Sequence, residues 1–480
     1  MNGESNKANK VFTHIAGTFL IQADGAFLNG AGLGEGEDRN VTVPKTFSDG
    51  RNRVPYVSAQ AWKRWLRTTA VQEAGWPASE PRAIGWNPKG NVNKIAGQLN
   101  PVEFPEDDIF GYMRAQEGQG RRRGVQAEDD GEEEEAASQT KAVMRASPFA
   151  ASLLVSLRSD GWRGEDEGFV HLTKFDPMAL AQAEVERFLS ALSEKKEDKK
   201  KDVWNRLQEL EKDWSEQVKS AADNGDLDKL RTLLSKKAEE KGKEFQFIEN
   251  ATSPLPYTTR FYNTNLQAVF CLDYSRMGVF WNVGDRIELE GAKVKKSLED
   301  KRIEDVTKQE PYRTLTQDGK LGQIYRLVSA NNTRKERAAA LLKALAVLRG
   351  GAKQAQFGTD VSPKVLILAG LTCGNPIFNH LFLDNGEGPV LKVDAFKQII
   401  RDYADRIVTP ILLGFRAGYL RNEAEATKLA GWWPVKRDRK PEDTSSKEEP
   451  LKAEPQEGEA VEVKIGTPIE AARSIGELLP

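Results

Sequence analysis

The sequence predicts an α+β fold built on the ferredoxin-like order strand, helix, strand, strand, helix, strand. Two observations predict it. Short runs rich in β-branched and aromatic residues alternate along the chain with two stretches of helical periodicity. Hydrophobic residues make up 39% and charged residues 30% of the 480 positions, which is typical of a globular chain with a sizeable core. RNA-recognition modules share this order of elements.

The first half of the unit lies near the N-terminus. Val11–Ile21 has the composition of a strand, and the Gly- and Asn-rich segment 23–50 predicts a long loop that turns at Asn29-Gly30. A helix is predicted over 57–70, with Ser58 as its N-cap.

The second half follows two long insertions. The first insertion contains the acidic run Glu128–Glu135, for which we expect a solvated loop. The second contains a highly charged stretch over 176–244 that predicts a helical hairpin. A helix over 333–348 is predicted from the capping box Thr333-x-x-Glu336. The remaining predicted elements are the strands Leu153–Leu157, Leu266–Asp273, Met277–Trp281 and Val365–Ala369 and the helix Ala395–Ile407.

The distribution of charge is uneven. The formal net charge is -2, but residues 128–135 carry seven net negative charges and residues 438–480 carry five, which leaves +10 on the rest. An electropositive body is compatible with nucleic-acid binding. The Pro-, Glu- and Lys-rich composition beyond residue 436 predicts a disordered acidic tail.

The most informative stretch is Arg51–Arg67, which holds five basic residues and no acidic one. With Ser58 as N-cap, the first-turn amides and the side chains of Ser58 and Gln60 are presented to an anion. Basic side chains at helical spacing then allow the helix to follow a phosphate backbone. An ordinary amphipathic surface helix is the alternative. The basic residues are Arg51, Arg53, Lys63, Arg64 and Arg67.

Two shorter stretches also suggest nucleic-acid contacts. Met144 beside Arg145 combines an apolar wedge with a phosphate ligand, although the edge of a core would have the same composition. Lys353 and Gln354 follow the flexible pair Gly350-Gly351, which equally serves as a simple end to a helix.

Signals for catalysis are scarce. The three histidines are far apart, and the chain has no Walker loop, zinc-ligand spacing or nucleophile elbow, so no enzyme, cofactor or metal site is predicted. The two cysteines, Cys271 and Cys373, lie in separate apolar runs and are expected to be free thiols of a reducing cytoplasm. We expect no secretory signal and no membrane contact.

A resemblance adds to this interpretation. The motif Val-Ser-Ala-Gln-Ala-Trp-Lys-Arg over 57–64, preceded by Leu28-Asn29, resembles the backbone subunits of CRISPR type I Cascade surveillance complexes. More narrowly, it is similar to their DevR branch, typical of type I-B. Met144-Arg145-Ala-Ser-Pro and Gly351-Ala-Lys-Gln354 match the same family in the right order. The similarity extends over residues 11–371.

The family implies a modified RNA-recognition palm with a helical fingers insertion and a β-hairpin thumb. Several copies stack along one crRNA guide together with other Cascade subunits, and guide pairing selects the target DNA. Ser58, Gln60, Lys63, Arg64 and Arg67 would hold guide phosphates, and Met144 would pack against a displaced base. The resulting organisation is palm over 11–70, 141–157 and 262–435, fingers over 71–140, thumb over 158–261 and tail over 436–480.

Two alternatives remain open. Type III backbone subunits resemble this fold and cleave target RNA with an aspartate in the loop after the first strand, where Asp24 and Asp38 lie here. A stand-alone nucleic-acid-binding regulator is the other alternative, since the DevR branch is described as containing autoregulators.

Overall fold

The structure is a computed structural model of the chain. It describes residues 12–34, 36, 39–50, 52–79, 82–86, 92–114, 142–158, 164–171, 212–224, 226–241, 255–328, 330–432 and 462–480. These residues form a mixed α+β fold with several sheets, so the predicted fold class is confirmed at this level. None of the helices described is both long and apolar enough to cross a membrane. The chain divides into two compact units, one of residues 1–32, 43–165 and 260–480 and one of residues 33–42 and 166–259.

The strands of the described residues are β1 His14–Ala26, β2 Gly30–Leu33, β3 Val41–Pro44, β4 Thr46–Asp49, β5 Asn52–Val57, β6 Arg82–Trp86, β7 Val92–Ala96, β8 Tyr112–Arg114, β9 Val143–Arg145, β10 Phe149–Ala151, β11 Leu154–Ser156, β12 Glu165–His171, β13 Leu255–Asp273, β14 Val279–Val283, β15 Arg286–Ile287, β16 Ile303–Asp305, β17 Gly322–Leu327, β18 Val365–Leu371, β19 Phe382–Asp384, β20 Pro389–Leu391, β21 Ile411–Phe415 and β22 Val463–Gly466.

The helices are α1 Ala59–Ala74, α2 Pro105–Phe110, α3 Lys212–Asp223, α4 Leu227–Lys241, α5 Gly291–Glu299, α6 Tyr312–Leu315, α7 Ala330–Ala346, α8 Gln354–Phe357, α9 Val393–Asp402, α10 Glu423–Thr427 and α11 Pro468–Glu477.

The first unit is organised around a long sheet whose strands follow the order β22-β21-β18-β1-β13-β11-β5-β4. Strand β1 is antiparallel to β13 on one side and to β18 on the other, with His14 opposite both Asp273 and Leu371. Strand β11 is antiparallel to β13, and β22 pairs in parallel with β21. In the chain, α1 lies between β1 and β11, and α7 lies between β13 and β18.

Both faces of this sheet are covered, because successive side chains of a strand point to opposite faces. On one face Phe19 packs against Trp62 of α1, with ring centres 5.3 Å apart, in a core that includes Leu341 of α7. On the other face Leu20 joins a second core with Phe396 of α9. Helices α1 and α7 therefore share one face of the central strands.

A second sheet of the first unit follows the order β16-β17-β14-β15-β9-β8. Strand β14 follows β13 after a short turn, but it belongs to this second sheet and not to the central one. A 3₁₀ turn at Tyr274–Arg276 redirects the chain, and the Asp273 carboxylate caps it by accepting a hydrogen bond from the backbone N–H of Arg276 (3.2 Å).

The second unit contains helices α3 and α4. Trp214 and Leu230 are buried between them, and Trp214 Nε1 donates to the carbonyl of Leu233 (3.3 Å). In the same unit, β3 pairs in parallel with the beginning of β13. The helices predicted over 176–244 are thus observed at 212–241, whereas 172–211 and 242–254 lie outside the described residues. The acidic run Glu128–Glu135 also lies outside them.

Two local expectations are wrong. The predicted loop over 23–50 contains β2, β3 and β4, and β4 pairs with β5. Thr333 does not cap a helix, because α7 begins at Ala330 and includes it. Of the segment 71–140, which was expected to form helical fingers, the described residues contain the end of α1, the β6–β7 hairpin, the short helix α2 and strand β8.

The predicted disordered tail over 436–480 is wrong for its last part, while residues 433–461 lie outside the described residues. Strand β22 extends the central sheet, and α11 packs on α7 with Ile475 fully buried. A capping box starts this helix, because Thr467 Oγ1 accepts from the backbone N–H of Glu470 and the Glu470 carboxylate accepts from that of Thr467.

Candidate nucleic-acid interface

Three segments that are distant in sequence meet at the N-terminus of α1. The side-chain oxygen of Asn29 accepts a hydrogen bond from the backbone N–H of Ser58 (3.0 Å), and the Ala352 N–H donates to the carbonyl of Leu28 (2.9 Å). The predicted N-cap is confirmed, since Ser58 Oγ accepts from the Ala61 N–H (3.3 Å). The turn after β1, the start of α1 and the loop after α7 therefore form one surface.

Glycine allows the loop after α7 to approach this closely. A Cβ on Gly350 would overlap the side chain of Trp65 on α1. Gly351 has φ +107°, and a Cβ there would lie 2.9 Å from a methyl group of Leu28. A side chain at either glycine would therefore push this loop away from α1 or from the turn after β1.

Lys353 and Gln354 are half-buried in this loop. Lys353 Nζ lies 5.2 Å from the ring centre of Phe27, and burial lowers the pKa of its ammonium group. The Gln354 amide donates to the carbonyl of Gly350. Their contacts hold in shape the loop that approaches the α1 N-terminus.

A groove of about 660 Å³ extends along α1. Four predicted site residues of α1 line it, and Gln60 and Arg64 among them are exposed one helical turn apart. Phe110 and Tyr112 line it from the other side. Arg64 forms no ion pair with any described carboxylate, so its charge is available to an anionic ligand. The four residues are Gln60, Lys63, Arg64 and Arg67.

The Lys63 ammonium group is hydrogen-bonded within the protein. Its Nζ donates to Ser147 Oγ (2.9 Å) and to the carbonyl of Phe149 (2.8 Å), and burial lowers its pKa. Lys63 thereby ties α1 to the loop between β9 and β10.

The Arg67 guanidinium is also paired within the protein. Its guanidinium pairs with the buried carboxylates of Glu106 and Asp107, the second at 3.2 Å. Desolvation raises the pKa of the Asp107 carboxyl, and the Arg67 charge opposes this shift. Arg67 therefore anchors α2 against α1 and retains little free charge for the groove.

The interpretation of Arg145 as a surface phosphate ligand is wrong. Its side chain is fully buried and pairs with Asp108 and with Glu288 (2.8 Å). Strand β9 alternates its side chains, so Met144 points outward where Arg145 points inward. The basic residue of this motif is thus a structural core residue.

Met144 is 44% exposed, and a residue missed by the sequence analysis accompanies it. Met113 is 70% exposed and lies opposite Met144 in the β8–β9 register. The strand pattern around Met113 is weak in the sequence, because β8 contains only three residues. Arg53 is exposed as well, on β5 opposite Ser48 of β4, and it has no ion-pair partner among the described residues.

The residues considered for cleavage are not assembled into a metal site. Asp24 is exposed and accepts a hydrogen bond from the Gln22 amide (2.6 Å), while Asp38 lies outside the described residues. The described part of the chain contains no cluster of three or more His, Cys, Asp or Glu side chains placed to hold a metal ion.

Comparison with known proteins gives weak structural resemblances to solved structures. Neither family models nor curated protein sequences match the chain. A solved "CRISPR RNA-guided surveillance complex" chain is similar over 82% of this chain and 83% of its own length, at 11% identity and TM-score 0.32. A second, "CRISPR RNA-guided surveillance complex, pre-nicking", is similar over 83% and 92%, at 10% identity and TM-score 0.35. Both TM-scores lie below 0.5, so neither resemblance defines the fold or the function of this chain.

Proposed function

We propose that this chain binds CRISPR guide RNA along its backbone, as a repeated subunit of a type I Cascade surveillance complex of the DevR, type I-B-like branch. The observation that carries the proposal is the hydrogen bond from the Ser58 N–H to Asn29. It unites the two parts of the sequence motif, Leu28-Asn29 and the α1 N-terminus, into one surface. Exposed Gln60 and Arg64 extend that surface into the adjacent groove.

The order β18-β1-β13-β11, with α1 and α7 as the intervening helices, supports the assignment of these elements to a ferredoxin-like RNA-recognition palm. On this proposal the fingers lie within 71–140 and the thumb within 158–261. Phosphate contacts from Arg64, Arg53 and the first-turn amides of α1 give affinity without reading sequence. Met113 and Met144 supply an apolar contact to bases.

The chain acts as a binding subunit and not as an enzyme, in the cytoplasm and without a cofactor. Guide pairing then selects the target DNA, and neighbouring copies of this chain and other Cascade subunits complete the assembly.

The test is to express the chain with its neighbouring operon products and a guide array, purify it, and map nuclease protection of any bound RNA. We expect evenly spaced protected segments from stacked copies. An Arg64→Ala chain should co-purify with less RNA, whereas Arg421→Gln, a half-exposed arginine elsewhere, should not change the yield. A single short protected patch would instead favour the stand-alone regulator. Cleavage of complementary RNA that depends on Asp24 would favour the type III alternative.

A further inference from the structure

A second cavity of the first unit, of about 380 Å³, shares no lining residue with the α1 groove. It opens between the start of β1, the loop between β9 and β10, the end of β13 and the β14–β15 hairpin. Polar side chains on its walls include His14, Asp273, Arg276, Trp281 and Arg286. The proposed palm contacts do not use any of these residues.

Arg276 and Arg286, which line this cavity, belong to a cluster of charged side chains that extends behind the cavity wall. Glu288 is fully buried and forms ion pairs with three guanidiniums, those of Arg145 (2.8 Å), Arg276 (2.6 Å) and Arg286 (2.5 Å). Arg145 also pairs with the buried Asp108, which pairs in turn with Arg337. Four guanidiniums are therefore matched by two carboxylates.

Asp273 reduces this excess without cancelling it. Its carboxylate lies on the cavity wall, 3.8 Å from His14 Nε2, and accepts from Ser275 Oγ (2.6 Å) and from the Arg276 backbone N–H. One net positive charge still remains on the cluster of four guanidiniums and three carboxylates, which favours an anionic ligand.

Three donors on the same wall lack acceptors. Arg276 Nη1, Arg286 Nε and Trp281 Nε1 are buried and have no hydrogen-bond partner among the described residues. The Trp281 ring lies against both guanidiniums, 4.1 Å from Arg276 Cζ and 5.5 Å from Arg286 Cζ. Buried polar groups are rarely left unpaired, so three such donors around one cavity point to a ligand rich in acceptor oxygens.

We infer that this cavity binds the phosphate group of a nucleotide. A phosphate offers several anionic oxygens to the donors of Arg276, Arg286 and Trp281 and supplies the missing negative charge. The volume lies within the range of about 300–1,000 Å³ that is usual for small-ligand sites, so a sugar can follow the phosphate into the cavity. Asp273 and His14 are placed to hydrogen-bond its hydroxyl groups.

This site goes beyond the proposed function, because it is separate from the α1 groove. The phosphate belongs either to a free nucleotide or to a nucleotide of bound RNA. Calorimetry on the purified full chain should compare adenosine 5′-monophosphate, adenosine and inorganic phosphate at constant ionic strength, followed by displacement with a short RNA. We expect saturable binding of the monophosphate and none of adenosine.

Two conservative variants test the donors. Trp281→Phe keeps an aromatic ring and removes one N–H, and Arg286→Lys keeps the charge and removes Nε. Each should weaken monophosphate binding by about tenfold, the effect of losing one charge-assisted hydrogen bond. The control Arg421→Gln should bind as the parent chain does. Circular dichroism identifies a variant that fails to fold, in which case the other variant decides.

The outcomes distinguish a free nucleotide from bound RNA as the source of the phosphate, and they distinguish this inference from the RNA-binding proposal. Displacement by short RNA assigns the phosphate to RNA, and absence of displacement assigns it to a free nucleotide. The inference is overturned if the parent chain and both variants bind the monophosphate equally. It is also overturned if the parent chain shows no saturable binding of monophosphate, inorganic phosphate or RNA phosphates. Arg64→Ala should leave monophosphate binding unchanged, so a failure of the RNA proposal is distinguishable from a failure of this one.

Discussion

Met113 and Met144 face each other across strands β8 and β9, and both side chains are largely exposed in a fold that buries most of its other large hydrophobic residues. Strand β8 ends the second sheet, so nothing in the described part of that sheet lies beyond Met113. Thioether side chains adapt to irregular apolar surfaces, which suits them to pack against unstacked bases.

Replacing both methionines by serine should weaken RNA binding by about 1–2 kcal/mol, since roughly 0.8 kcal/mol is lost for each methylene that is no longer buried. Fluorescence anisotropy with a labelled guide RNA measures this change. Leu383→Ser, which removes another exposed apolar side chain, is the matched control and should bind normally. Equal affinities of the double variant and the control would remove the methionines from the interface.

Arg64 and Lys63 are adjacent but should respond differently to mutation. Arg64→Ala removes an exposed charge, so the slope of log affinity against log salt should fall by about 1 while stability stays within about 0.5 kcal/mol. Lys63→Ala removes the donor to Ser147 and Phe149 and should cost about 1–2 kcal/mol of unfolding free energy. Salt titrations of RNA binding and urea unfolding measure the two effects. A normal salt slope in Arg64→Ala would contradict the proposed placement of phosphate.

Arg145 should behave as a core residue. Arg145→Met leaves the buried carboxylates of Asp108 and Glu288 with fewer partners and should destabilise the chain by about 3–5 kcal/mol. Urea unfolding followed by circular dichroism measures the loss. Arg313→Met breaks an exposed pair with Asp318 and should leave the unfolding midpoint unchanged. A stable Arg145→Met chain with reduced RNA affinity would restore the original interpretation of Arg145 as a phosphate ligand.

Gly350 should not tolerate a side chain. Gly350→Ala places a methyl group against Trp65, so the loop after α7 must move away from α1, at a cost of about 1–3 kcal/mol. Gly291→Ala is the control, because no atom lies within 4 Å of the added Cβ there. Thermal unfolding should separate the two, and RNA affinity should fall in Gly350→Ala alone. Identical melting curves would argue against the close approach of the two segments.

Two isoleucines of α11 test whether the C-terminal helix belongs to the core. Ile475 is fully buried and Ile469 is 39% exposed. Ile475→Ala should lower the unfolding free energy by about 2–5 kcal/mol, and Ile469→Ala by much less. Equal small losses in urea unfolding would mean that α11 does not pack as described.

Local signals predicted part of this molecule well. The N-cap at Ser58 could be predicted because the serine hydroxyl and the backbone N–H that donates to it, that of Ala61, are only three residues apart. Arg145 was misassigned because its burial depends on Asp108 and Glu288, which lie 37 and 143 residues away in sequence. The last strand and helix were missed because acidic composition outweighed a local signal, the capping box that starts at Thr467.

The grouping of the site residues was harder to predict than their identity. The motif suggested that Asn29 and Ser58 act together, but only the sheet brings them within hydrogen-bonding distance. Lys63 and Arg67 contact partners on other segments, whereas Arg64 does not. The helical spacing of the three residues in α1 does not show which side chains are used within the protein and which are available to a ligand.

The position of β22 and α11 also sets the order in which the chain can fold during synthesis. Strand β21 ends at Phe415, but its parallel neighbour and the helix that covers α7 come from residues 463–477. At about 5–20 residues per second, the ribosome needs roughly 3–13 s to make residues 416–480. During that interval the apolar surface that Ile475 and the rest of α11 cover in the finished fold stays exposed to water on the nascent chain.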